Sequence, residues 1–85
     1  PSQGGYDITN STKITLDKAI EIVVNKAGVS ENDLYSKNAN YDYDHGQYIV
    51  EVEIDTKSTE YDAKIDAVSG NVLEWNSKNE IHILI

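Results

Sequence analysis

Apolar residues keep a helical period over one stretch of this chain and then switch to a period of two. Leu16, Ala19, Ile20, Val23, Val24 and Ala27 recur at i, i+3, i+4, i+7, i+8 and i+11, the stripe of a helix that buries one side. The ends of that stripe are chemically marked. Thr15 supplies a side-chain oxygen for an orphan backbone N–H, and Asp17 sits where the helix dipole favours negative charge. Lys26 falls in the last turn and Gly28 follows as a C-cap. The opposite side carries Asp17, Lys18, Glu21 and Asn25, with Ile22 as the exception. Beyond it, Ser30 caps a short helical turn with Asp33 three residues on, and Val29 and Leu34 occupy the positions of a hydrophobic staple.

Alternation takes over from there. Ala39, Tyr41 and Tyr43 alternate with polar residues, then Tyr48, Val50, Val52 and Ile54, then Tyr61, Ala63 and Ile65. Each run predicts a strand with one buried and one wet face. Asp44-His45-Gly46 suits a three-residue turn with glycine at the left-handed position, and Asp55–Thr59 is a longer polar loop. Pairing Tyr43 with Tyr48 puts Tyr41 opposite Val50, and pairing Val52 with Ala63 puts Ile54 opposite Tyr61. Both hairpins then place their apolar sets on one face, as register selection requires. The second pairing also sets Glu51 against Lys64. A tight turn at Ser69-Gly70 leads into a further short strand at Val72-Leu73, with Trp75 near its end. The expected architecture is α+β: one amphipathic helix packed on a three- to four-stranded antiparallel sheet.

At 85 residues the chain fits one domain, and a domain this small buries only about 60% of its unfolded surface. Fifteen acidic residues face seven lysines and no arginine, for a net charge of −8. That balance argues against nucleic-acid binding and against anionic lipid surfaces, and it attracts basic partners or divalent cations. The absence of cysteine excludes disulfides and thiolate chemistry. The absence of methionine makes Pro1 the start of an excised or processed segment, so a signal or anchor upstream lies outside view. No apolar run within it is long enough for a membrane span. Residues 1–13, rich in Gly, Ser, Asn and Thr, read as a flexible leader. Residues 77–85 read as a C-terminal extension. Its Ile81-His82-Ile83-Leu84-Ile85 end is β-prone and is expected to pair with the sheet or with another copy.

Three segments together carry a family resemblance. They are the helix opening Ile14-Thr15-Leu16-Asp17-Lys18-Ala19-Ile20, the strand Tyr48-Ile49-Val50-Glu51-Val52-Glu53-Ile54, and Ile65-Asp66-Ala67 leading to Gly70-Asn71-Val72. Residues 14–76 resemble a PepSY domain, the last motif most specifically. The resemblance implies a helix on an antiparallel sheet and an extracytoplasmic, usually bacterial, location. It also implies a non-catalytic role, in propeptides that inhibit and help fold metalloproteases or in small secreted, lipoprotein or membrane-anchored proteins. It brings no catalytic residues to carry over.

The residues themselves point the same way. Asp42-Tyr43-Asp44-His45-Gly46 has the opening spacing of a calcium loop, but the following residues form a strand and cannot wrap an ion. His45 and His82 lie far apart in sequence, which gives no zinc set. Asp62 and Asp66 are spaced like residues on a solvated strand face, and no serine sits in a nucleophile elbow. Tyr48 and Tyr61 are expected in the core. Ile49, alone apolar on its strand's polar face, is a candidate partner contact, as are Ile22 and Trp75. Glu51, Glu53, Glu60 and Asp62 form acidic outer strands that steer toward a basic surface. The expectation is a non-catalytic extracellular or cell-surface module, without cofactor or metal, that binds and modulates a protein partner such as a secreted protease. A structural or spacer domain of a larger surface protein or lipoprotein, assembling through Ile81–Ile85, is the alternative. A hydrolase is the least supported class.

Overall fold

Thr15 opens the helix as its chemistry requires: its Oγ1 accepts from the Lys18 amide at 3.0 Å. In the computed structural model, which describes residues 12–79, α1 runs over Leu16–Ala27 and ends at Gly28 with φ 73°. The Gly28 and Val29 amides close back on the Val24 carbonyl at 3.0 and 3.3 Å, so the last-turn acceptors are satisfied by a left-handed cap. Ser30 Oγ then accepts from the Asn32 amide at 3.2 Å and caps a 3-10 turn over Glu31–Asp33. Both Val29 and Leu34 pack against the core.

Four strands follow: β1 (Ser36–Asp44), β2 (Gln47–Asp55), β3 (Thr59–Asp66) and β4 (Val72–Asn79). They form one antiparallel sheet in chain order. The expected registers hold: Tyr43 faces Tyr48, Tyr41 faces Val50, Val52 faces Ala63 and Ile54 faces Tyr61. The helix lies over β1, β2 and β3. Ala19, Ile20, Val23 and Val24 meet Val50, Val52, Ile54, Ala63 and Ile65 in one buried cluster closed by Ala67. Val23, Val50, Ile54 and Ile65 are fully buried.

Several local expectations are corrected. The β1–β2 connection is a two-residue turn, because Asp44 pairs with Gln47. His45 and Gly46 both take positive φ, 52° and 80°, the signature of a type I′ turn whose twist matches the flanking strands. Lys64 stands opposite Glu51, yet its ammonium reaches Asp44 at 3.7 Å, while Glu51 accepts from the Asn40 amide at 3.4 Å. Asp66 is no idle member of a solvated face. Its Oδ1 accepts from the Val68 and Ser69 amides and its Oδ2 from Gln47. It thereby organises the turn that Gly70 completes at φ 82°. β4 is a full strand of eight residues, longer than the Val72-Leu73 pair expected.

Ile22 packs against the core, toward the Gly70 turn, and is not a free contact. Tyr48 and Tyr61 are partly buried at the core margin. Tyr41 and Tyr43 are 45% and 56% exposed on the edge strand. Tyr41 Oη donates to the Ile14 carbonyl at 2.7 Å, and the Ile14 amide donates to Ala67, so the entry to the helix is tied to the sheet. The Ile81–Ile85 segment and nearly all of the expected leader lie outside the described residues.

Candidate functional site

Strand alternation turns Glu51, Glu53 and Asp55 of β2 and Glu60, Asp62 and Lys64 of β3 away from the helix. Four of the acids singled out from sequence, Glu51, Glu53, Glu60 and Asp62, are therefore brought together on the outer face. Glu74 joins them from β4, opposite Lys64. A shallow groove of about 430 Å³ crosses this face, lined by residues from all four strands.

The register places like charges directly opposite one another twice in succession, Glu53 facing Asp62 and Asp55 facing Glu60. Such pairs cost free energy, and the carboxyls respond. Partial burial, then the charges of Glu60, Asp55 and Asp62, push the Glu53 carboxyl above its ordinary value. Asp62 is pushed up by burial, by its hydrogen bond with Glu60 and by the charges of Glu60 and Asp55, with Lys78 pulling the other way. Lys78 reaches Glu60 at 3.8 Å.

Carboxylate oxygens of Glu53, Asp55 and Glu60 lie within 4.8 Å of one another, a hard-oxygen set that suits a divalent cation in kind. A calcium ion takes six to eight oxygens, and exposed acids commonly cluster without an ion. Asp55 Oδ2 accepts from Ser36 Oγ at 2.7 Å, while its buried Oδ1 accepts no hydrogen bond. Asp55 and Glu74 were not singled out from sequence. The signal for Asp55 lay in the register already deduced, which pairs it with Glu60.

The two remaining candidates separate from the acids. Ile49 is only 2% exposed and offers a partner almost nothing. It sits on the outer side of β2 in a hollow shared with Lys64 and Leu73. A bulge between Lys64 and Ile65 lets β4 carry one extra residue, Leu73, and that residue borders the same hollow. Trp75 stands opposite Ala63 on the helix side. Its ring lies 5.6 Å from that of Tyr61, and Lys26 sits 5.1 Å over it. Its side chain packs against the core from the helix side, while the residue also borders the groove between Glu74 and Asn76.

One helix on a four-stranded antiparallel meander, with the other face acidic and uncovered among the described residues, is the architecture of a small two-layer α+β module. The chain belongs to the PepSY family, described as "Peptidase propeptide and YPEB domain", which it matches over residues 13–76. The family is propeptide-like and non-catalytic, and its domains are generally extracytoplasmic in bacteria. The motif residues have visible work in this fold. Ile65 and Ala67 are buried, Asp66 builds the turn, and Gly70 takes the left-handed conformation. The chain is 33% identical over 70 residues to an uncharacterized protein of Streptococcus pyogenes serotype M6. That match covers 82% of this chain and 54% of the relative, so the chain spans about half the relative's length. No solved structure matches. Among the described residues no helix is long and apolar enough to cross a membrane.

Proposed function

We propose that this chain is a non-catalytic, extracytoplasmic module that binds and modulates a protein partner, with a secreted protease as the partner class that the propeptide members of the family suggest. The observation that carries the reading is the uncovered outer face of the sheet. It gathers Glu51, Glu53, Asp62 and Glu74 on a surface that no other element of the described fold covers. A field of one sign accelerates encounter with a basic surface and is weakened by salt. The test is capture and inhibition of the cognate secreted proteases at low and at high ionic strength. Binding that is strong at low salt and falls as salt rises supports the reading. No capture and no inhibition at low salt overturns the protease version.

The length of the streptococcal relative favours a second reading, a spacer domain within a longer surface protein that assembles through Ile81–Ile85. Sedimentation of the chain with and without residues 81–85 separates the two, because only the spacer reading requires a change of oligomeric state.

A further inference from the structure

We propose that the groove across the outer sheet face is a docking site for an extended, arginine-bearing segment of the partner protein. The proposal rests on the binding-module reading above and specifies the chemistry of what is bound. Carboxylates of Glu51, Glu53 and Asp62 run across its middle strands and Glu74 joins them from the edge strand β4, with the amides of Asn38 and Asn76 toward its two edges. Lys64 reaches Asp44 at 3.7 Å and Lys78 reaches Glu60 at 3.8 Å. These two cations stand among Glu51, Glu53, Asp55, Glu60, Asp62 and Glu74 on the outer face, so it keeps a net negative charge. Its central pair, Glu53 and Asp62, consists of two acids held opposite each other by backbone register, so side-chain rearrangement relieves that repulsion only in part.

Three arguments select the occupant. Directly opposed residues on neighbouring strands hold their β-carbons about 5 Å apart. A guanidinium presents five donors in a planar fork and can engage both carboxylates at once, whereas an ammonium acts as a point charge. The chain has no arginine of its own, and a second copy would bring another net charge of −8. The groove is shallow and crosses all four strands, so it takes side chains of an extended segment whose alternate residues point down.

The test is an NMR titration of the chain with three short peptides that differ only at positions i and i+2: arginine, lysine, or the uncharged isostere citrulline. The expected result is amide shifts on the groove strands around Glu51–Glu53, Asp62 and Glu74. The arginine peptide should bind several-fold more tightly than the lysine peptide, and the citrulline peptide should not bind. Glu53→Gln/Asp62→Asn should weaken the arginine peptide at least tenfold while the spectrum remains that of a folded chain. Equal affinity for arginine and lysine, no response to the double substitution, or shifts confined to α1 would each overturn the proposal. The two readings fail separately. Protease inhibition untouched by the double substitution discards the groove and keeps the module. An arginine-selective groove in a chain that captures no protease does the reverse.

Discussion

Neutralising the opposed acids should stabilise the fold, although it removes charged groups from a protein surface. In Glu53→Gln/Asp62→Asn the pair facing each other across β2 and β3 is replaced by amides, and the crowding by Asp55 and Glu60 is relieved. A directly opposed like-charge pair costs about 0.2–1 kcal/mol. Glu53 is exposed, so solvent screening keeps the gain for the double variant within about 0.2–1 kcal/mol. For a domain this size that is a rise in Tm of about 1–8 °C. The pH dependence follows from the direction of the shifts. Both carboxyls sit above their ordinary values in the folded chain, so between the unfolded and folded values the native state holds more protons. Stability then falls as pH rises from the ordinary carboxylate range, about 4, through the raised folded values, and the full cost is present at pH 7. In thermal melts at low salt, the double variant should gain more Tm over the parent at pH 7 than near pH 4. A double variant that is folded yet no more stable at pH 7 and low salt would refute the claim that these acids repel.

Three further substitutions check the fold that presents this face. Ile49→Ala should lose about 2–4 kcal/mol in urea unfolding, because it empties a buried position; a loss under 0.5 kcal/mol would restore it to the surface. Gly70→Ala and Gly28→Ala should each cost about 1–2 kcal/mol from left-handed backbone alone. The nearest atom to a β-carbon at Gly70 is Ile22 Cδ1 at an ordinary 3.6 Å, and nothing lies near one at Gly28, so a far larger loss at Gly70 would show that space, not φ, governs that site. His45→Asn should raise stability by about 0.5 kcal/mol, since asparagine tolerates the left-handed conformation that the first turn position demands; an unchanged or lower melting point would contradict the turn assignment.

The helix, its two caps and the registers of both central hairpins were legible because each rests on a local pattern with one strong solution. The spacing of Leu16 to Ala27 admits one buried face, and slipping either hairpin by a residue would turn Val50, Val52 and Ile54 outward. What the pattern missed lies where the physics is not periodic. β4 is an edge strand whose residues from Glu74 on are mostly polar and exposed, so little alternation marks its length. Ile49 is apolar on a face that is otherwise charged, and it makes sense only once the bulge brings Leu73 to the same hollow. Trp75 was separable from the acids only after β4 was in register, opposite Ala63. The acidic face was half visible. Glu51, Glu53, Glu60 and Asp62 followed from alternation, while Glu74 waited on the fourth strand.

The outer sheet face is the surface proposed to meet a partner. Carboxyl footprinting reads this directly: carbodiimide coupling of a small amine to exposed acids, with and without the captured partner, quantified by mass spectrometry. Protection of Glu51, Glu53, Asp62 and Glu74 on binding, with Glu21 and Glu31 on the helix side still labelled, is the predicted result. Protection of Glu21 and Glu31 with the four strand acids still fully reactive would contradict it.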